Sequence, residues 1–357
     1  MASTFGSNLK LTIFGTSHGA EIGMTLEGIP AGLPVDLPQL QAFLDRRAPG
    51  KNPWSTARKE SDMPRFLTGL TDGCTNGEPI HAVIRNENVR KGDYAMLQNT
   101  PRPGHADFAA WMKYGLAFDM SGGGAFSGRM TAPMCIAGGL CMQWLAANNI
   151  RIGAHIAWIH DIDDNRFDPL KPDLDGVQAD FPVLNRISGD QMQEAIAQAK
   201  LRGDSVGGII ECAAVGVPAG IGGELFGGVE SKLSQILYGI PAVKGVDFGL
   251  GFANMYHYGS YTNDAFAITN DRVTTVTNHC GGILGGITTG MPILLRVAMK
   301  PTPSIARAQQ SVNLKTMEPV TIQVQGRHDP CILPRAVPVV EAGVAIGLMD
   351  LLLEQRI

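Results

Sequence analysis

Apolar positions follow two rhythms along this chain. Alternating or continuous apolar runs flanked by Gly, Pro and polar residues predict strands over 10–15, 24–28, 81–85, 208–215, 273–277, 293–299 and 320–325. Apolar residues spaced by three and four predict a helix over 37–47, with Asp36 as N-cap and Leu37, Leu40, Phe43 and Leu44 on one face. The same spacing predicts helices over 230–238 (Leu233, Ile236, Leu237), 106–114, 129–149, 191–202 and 335–355. Ser188 with Gln191 has the form of a capping box, and Gly203 can stop that helix. Strands and helices are interspersed, which places the chain in the α+β class, with sheets covered by helices.

One pattern occurs twice. Gly28-Ile29-Pro30-Ala31-Gly32-Leu33 returns as Gly216-Val217-Pro218-Ala219-Gly220-Ile221, each copy between a strand-like run and a helix-like one. No Ser/Pro-rich linker or charge run divides the chain, so residues 1–357 read as a single intertwined unit with an internal pseudo-repeat.

Composition narrows the function classes. Charged residues make up only 17%, so other subunits are expected to cover part of the surface. A net charge of −4 argues against a general nucleic-acid binder. Six widely spaced cysteines without a CxxC read as reduced thiols in a cytosolic setting. No signal-peptide pattern is present, and Glu341 and Asp350 interrupt the most apolar stretch, so no membrane span is expected. The 44 glycines are clustered, as backbone that turns tightly or approaches a ligand requires.

Several clusters carry chemistry. His18 stands in Gly-Thr-Ser-His-Gly at a strand end, and His105 follows Arg102-Pro103-Gly104 just before a helix that begins near Asp107. Both imidazoles suit proton transfer near neutral pH. Arg46 and Arg47 end a helix, where they complement its dipole or form a fork for a carboxylate or phosphate. The run Ser121–Arg129 opens a long helix with exposed backbone N–H groups, an anion site that matches neither the P-loop nor the dinucleotide fingerprint. A second glycine-rich turn, 278–287, precedes Lys300-Pro301-Thr302-Pro303-Ser304. Gly326-Arg327-His328-Asp329-Pro330-Cys331 places a cation, an imidazole and a carboxylate side by side, which favours a site over a plain turn. His279 and His328 are weaker candidates, because neighbours in a tight turn cannot all face one cleft. The remaining histidines, 81, 155, 160 and 257, read as structural or surface. No metal-ligand spacing and no G-x-S-x-G elbow occur.

Taken together, these blocks resemble the chorismate synthase family over nearly the whole chain. The matching pieces are FGTSHG, EGIPAGLPVD, LDRRAPG with TARKESD, RPGHAD, SGGG with SGR, GDSVGG, GVPAGIG, PAVKGVDFG, NHCGGILGGI, KPTPSI and GRHDPC leading into RAVPVVEA. The resemblance implies a homotetramer with a β-α-β sandwich fold. It further implies conversion of 5-enolpyruvylshikimate-3-phosphate to chorismate and phosphate by anti-1,4-elimination, with reduced FMN. His105 would be the acid at the departing phosphate, His18 would hold a proton beside the flavin, and Asp329 would assist removal of the C6 proton. Arg46, Arg47, Arg102, Arg129 and Arg327 would clamp phosphate and carboxylates. FMN would lie against Ala125, Phe126, Ser127, Pro241, Ala242, Gly285, Lys300, Pro301, Thr302, Pro303, Ser304 and Arg327.

The chain departs from the family pattern in places. Ala125 and Phe126 stand where the family has an Arg-Ser pair, and Asp119, Met120 and Ser121 lie where arginines are usual. Thr16 replaces an acid, Ala48 an arginine, and Pro53 falls in a segment that is often basic. These losses imply either replacement cations, with Lys51 a candidate, or lower affinity. They also keep open a paralogue that binds FMN without the reaction. Relatives that reduce their own flavin with NADPH carry insertions for which this length leaves no room, so an external reductant is expected.

Overall fold

The computed structural model describes residues 2–50, 54, 60–86, 99–115, 121–324 and 328–355. The amino-terminal stretch forms β1 (Ala2–Phe5), β2 (Lys10–Gly15), β3 (Glu21–Glu27), α1 (Leu37–Arg47), β4 (Arg65–Thr68), the small hairpin β5 (Leu70–Thr71) and β6 (Cys74–Thr75), β7 (Ile80–Arg85), α2 (Asp107–Tyr114) and α3 (Thr131–Ala147). There follow β8 (Arg151–Ile159), β9 (Ile162–Asp163), α4 (Arg186–Leu201), β10 (Gly208–Val215), α5 (Val229–Tyr238), β11 (Val243–Phe248) and α6 (Gly259–Thr262). The hairpins β12 (Phe266–Thr269) with β13 (Arg272–Thr275) and β14 (Ile283–Leu284) with β15 (Ile287–Thr288) lead to β16 (Ile293–Met299), then β17 (Ala308–Asn313), β18 (Glu318–Gln323) and α7 (Leu333–Glu354).

Two five-stranded antiparallel sheets run in the orders β1-β2-β3-β7-β4 and β11-β16-β10-β8-β9. Reversing the first superimposes its topology on the second: β4, β7, β3 and β2 take the places of β11, β16, β10 and β8. Between the sheets lies a helix layer, with α3 against the first sheet and α7 against the second. The result is the β-α-β sandwich, with the pseudo-repeat that the six-residue echo indicated.

The echo marks equivalent joints. Thr75 Oγ1 donates to Pro30 O at 2.6 Å and accepts from Leu33 N at 3.0 Å; Thr288 Oγ1 does the same with Pro218 O at 2.6 Å and Ile221 N at 2.9 Å. A Cβ added at Gly28 would lie 2.0 Å from Asn8 O, and one at Gly216 would lie 2.2 Å from Asn149 O, so only glycine lets each loop pass. Both have positive φ, +90° and +84°.

Helices α3 and α7 cross in contact at the centre, where a Cβ on Gly138 would sit 2.3 Å from that of Ala342. By length and composition α7 is apolar enough to cross a membrane despite its buried acids Glu341 and Asp350, as is the stretch 128–147, but both are wrapped by sheets and helices. The acids have specific work here. Asp350 Oδ1 accepts from the backbone N–H groups of Ser7, Asn8 and Leu9 at 2.9, 2.7 and 2.9 Å. Glu341 takes both Arg46 Nη atoms at 2.6 and 2.9 Å and Ala154 N at 3.0 Å. Buried carboxylates in an apolar helix thus stitch the amino terminus, α1 and β8 to the core.

Most elements fall where the apolar rhythm predicts them, with Asp36 capping α1 through Gln39 N at 2.9 Å. The predicted Ser188 cap does not form. Helix α4 starts earlier, with Asn185 accepting from Ile187 N at 2.9 Å, and Ser188 lies inside it. Strands β8 and β11 have no counterpart among the predicted elements: buried on both faces, β8 lacks the alternation that identifies a half-exposed strand.

Candidate active site

A cavity of about 590 Å³ opens at the seam between the two repeats, within the range typical of small-molecule sites. Its walls use matching parts of each. The turns after α1 and α5 contribute Pro49 and Pro241, and the starts of α3 and α7 contribute Thr131 and Ile332. Two long helices therefore direct their amino ends, which carry partial positive charge, at one space.

The first cluster is built by the Arg102–Asp107 turn. Arg102 Nε and Nη2 donate to Asp107 Oδ2 and Oδ1 at 2.7 and 2.8 Å, and Asp107 Oδ1 lies 2.6 Å from His105 Nδ1. Arg102 also reaches Ser304 Oγ at 3.3 Å, tying this turn to the segment after β16. Burial would raise the Asp107 carboxyl, but its hydrogen bonds from Arg102 and His105 prevail and hold it well below the usual carboxylate range. On its other side, His105 Nε2 abuts Gly123, where an added Cβ would lie 3.1 Å away.

A second cluster centres on Asp62, fully buried between two guanidiniums. Arg47 Nη1 donates to it at 2.7 Å, and Arg129 Nη1 donates to its other oxygen. Arg47 further donates to Thr131 Oγ1 and Gly128 O at 3.2 and 2.9 Å, so the end of α1 is fixed to the start of α3. Although desolvation works against it, the Asp62 carboxylate is kept below its ordinary range by Arg47 and Arg129.

The third cluster comes from the opposite repeat. Lys300 donates to Gly104 O, while burial and the neighbouring Lys244 lower its pKa. Arg335 pairs with Asp329 and donates from Nε to Arg47 O at 3.0 Å. His328 lines the same space, its pKa pushed down to about 4 by burial and by the neighbouring Arg102 and His105. Next to it Cys331 is buried, its thiol pushed up to about 12 by desolvation, which makes it inert as a nucleophile.

Of the residues singled out in the sequence, the cavity gathers His105, Asp329, Arg47, Arg102 and Arg129. It also gathers Ala125, Phe126 and Ser127 on one wall, and Pro241, Ala242, Lys300, Thr302, Pro303 and Ser304 on the other. His18 does not line it. Its turn is held just behind the wall: Ser17 N donates to Gly124 O at 3.3 Å, and Asn86 bonds both that turn (Thr16 O, 3.2 Å) and Arg129 Nε (3.0 Å). Arg46 faces away into its pair with Glu341, and Pro301 packs towards Gly207. Gly285, at φ +60° in the β14–β15 turn, lies apart from the cavity. Arg327, Lys51, Pro53, Asp119 and Met120 fall outside the described residues.

Four participants were not assigned from the sequence. His328 and Asp329, although adjacent, both face the cavity, contrary to the expectation that such neighbours cannot. The reason is that residues 328 and 329 belong to no turn or regular element, so they do not form the tight turn on which that expectation rests. Lys244 and Arg335 sit within the quoted PAVKGVDFG and RAVPVVEA blocks, but Lys244 lies in a stretch with no predicted element and Arg335 merely opens a predicted helix. Asp62 lies in TARKESD, and an acid among lost cations carries no visible signal until the fold buries it.

Among the described residues the lining carries six basic side chains: Arg47, Arg102, Arg129, Lys244, Lys300 and Arg335. Asp329, Asp62, Asp107 and Glu60 offset them only in part. Three buried polar atoms on this lining have no hydrogen-bond partner among the described residues, namely Arg129 Nη2, Thr302 Oγ1 and His328 Nε2. Uncompensated polar atoms around one cavity, with apolar Phe126, Ile240, Pro241 and Met299 beside them, suit a flat ring bearing anionic groups.

Known proteins place this arrangement. Residues 9–353 match the chorismate synthase family. A chorismate synthase from Lancefieldella parvula is 46% identical over 99% of this chain and 96% of its own length, and one from Methanobrevibacter smithii is 44% identical over 98% and 96%. A crystal structure of chorismate synthase superimposes with a TM-score of 0.79 at 28% identity, covering 98% of this chain and 93% of that one. Sequence match and shared sandwich agree from end to end, so this chain belongs to the chorismate synthase family.

Proposed function

We propose that the chain carries out the 1,4-elimination of phosphate from 5-enolpyruvylshikimate-3-phosphate to give chorismate, with reduced FMN held in the same cavity. The observation that carries this reading is the set of three buried polar atoms that make no hydrogen bond among the described residues, on a cation-rich lining. The lining fits FMN as well as substrate. Ala125, Phe126, Ser127, Pro241 and Ala242 offer apolar and backbone surface for a ring, and Lys300, Thr302, Pro303 and Ser304 offer a cation and hydroxyls for its phosphate. When bound, reduced FMN supplies an electron-rich ring beside the bonds that break.

The chain's own groups do the rest. Arg129 and Arg47 hold the substrate's anionic groups, with Arg102 beside them and Arg327 added by the resemblance, whereas Arg46, paired with Glu341, and Gly285 lie apart from the cavity. His105 delivers a proton from Nε2 to a departing phosphate oxygen. Asp329, steered by Arg335, supports removal of the ring proton, and His18 keeps a proton behind the Gly124 wall. Lys244 and Lys300, from the shared PAVKGVDFG and KPTPSI blocks, supply the cations of the wall opposite Ala125.

Reducing equivalents come from a separate flavin reductase. Exposed Phe252, Tyr256, Tyr258, Phe266 and Ile268 support assembly with further copies of the chain, as a homotetramer. The test is anaerobic incubation of the full chain with chemically reduced FMN and the phosphorylated substrate. Phosphate and chorismate are expected in equal amounts, without oxidation of NADPH when reductant is withheld. Bound flavin without phosphate release would overturn the reading.

A further inference from the structure

The Asp107 carboxylate is wholly committed. Its residue is 1% exposed, at the first position of α2, and its two oxygens receive Arg102 Nε, Nη2 and backbone N–H (2.7, 2.8 and 3.0 Å) as well as His105 Nδ1 at 2.6 Å. An ionised carboxylate only accepts, so the short contact requires the hydrogen of His105 to sit on Nδ1. Arg102 Nη2 lies 3.2 Å from the same nitrogen and also only donates. The shorter distance and the opposite charge decide in favour of Asp107. The opposite edge of the ring, Nε2, then faces Gly123, where the missing Cβ leaves it clear.

From this geometry we propose that Asp107 is a positioning residue for the reaction: it fixes the ring orientation and Nδ1–H form of His105 so that Nε2 alone exchanges protons with the ligand. The inference rests on the proposed role of His105 as proton donor. In the donating step the Nε2–H bond breaks, an O–H bond forms on the departing phosphate, and the neutral ring keeps its Nδ1 hydrogen on Asp107. Before that step Asp107 offsets the imidazolium charge, much as a buried acid behind a catalytic histidine does elsewhere. A plainer role is also available to Asp107, as an early helix acid and partner of Arg102.

A double-mutant cycle separates the two roles. Asp107→Asn keeps the shape and, with its amide oxygen in the place of Oδ2, the bonds from Arg102 Nε and N–H, while its NH2 group in the place of Oδ1 gives up the bond from Arg102 Nη2 and can donate towards Nδ1. It is expected to lower kcat by about a hundredfold or more with KM changed only a few-fold. In a His105→Ala background the same change should cost less than about threefold, because the group it acts through is gone. Equal losses in both backgrounds would overturn the proposal and assign Asp107 to Arg102 and the fold. If Asp107→Asn does not fold, Asp107→Glu, which keeps the charge and moves the oxygens, replaces it in the cycle.

A second measurement keeps this inference distinct from the functional reading. In full-length protein labelled with ¹⁵N-histidine, His105 should show a protonated Nδ1 and an unprotonated Nε2 in the neutral ring, and Asp107→Asn should convert it to the other form. A neutral ring already protonated at Nε2 in the unaltered protein would overturn the proposal. Should the unaltered protein fail to release phosphate, the functional reading falls, and the nitrogen signals alone then judge the pairing.

Discussion

A neutral histidine in a cationic lining shows how far a side chain's behaviour depends on its surroundings. Burial and the neighbouring Arg102 and His105 bring His328 down to about 4, against about 6.5 in an unfolded chain. Between those values the unfolded chain takes up a proton that the folded one refuses, so stability is complete above about pH 6.5 and declines as pH falls towards 4. Replacing His328 with Gln removes this contribution. The variant's urea midpoint should therefore fall less steeply over that interval, by up to about 1.4 kcal/mol per pH unit; an unchanged slope would refute the assignment. Residue identity made His105 and Asp329 legible in the sequence, because an imidazole or carboxylate beside Gly or Pro has few structural uses. Asp62 and Lys244 were not legible, since their significance lies in what the fold packs around them.

Elements were read well where one face is wet. Helix α1 shows its stripe and its cap in the sequence, whereas β8, buried on both sides, and α4, whose cap lies before its apolar stripe begins, did not. The repeated joints give a direct check on element equivalence. Thr75 and Thr288 are each 3% exposed and each bridge a Pro carbonyl to an N–H three residues on. Thr75→Val and Thr288→Val each leave both groups unsatisfied while preserving shape, and each should cost about 1–3 kcal/mol. Chemical denaturation of the two variants measures this; a large loss at one and none at the other would show that the joints are not equivalent. The short echo in the sequence pointed to these loops, but the threonines that brace them lie over forty residues away in each repeat.

At the scale of the molecule, an acidic protein with a net charge of −4 concentrates six basic groups on one cavity. Global composition argues against a general nucleic-acid binder but could not reveal the local field, which arises only when the two repeats close on each other. Attraction of this kind is weakened by salt. Affinity for FMN, followed by quenching of flavin fluorescence, should fall by roughly tenfold or more between low and high ionic strength. A flat dependence would mean that apolar contacts dominate.

The placement of that cavity between duplicated halves has a consequence for how such a pocket can change. Two separate half-length chains joined as a symmetric pair would present identical walls, and any mutation would strike both at once. Fusion removes that coupling. One wall here is a guanidinium pair braced on Asp62 and the other a lysine pair beside Thr302, so each wall can be altered without altering the other.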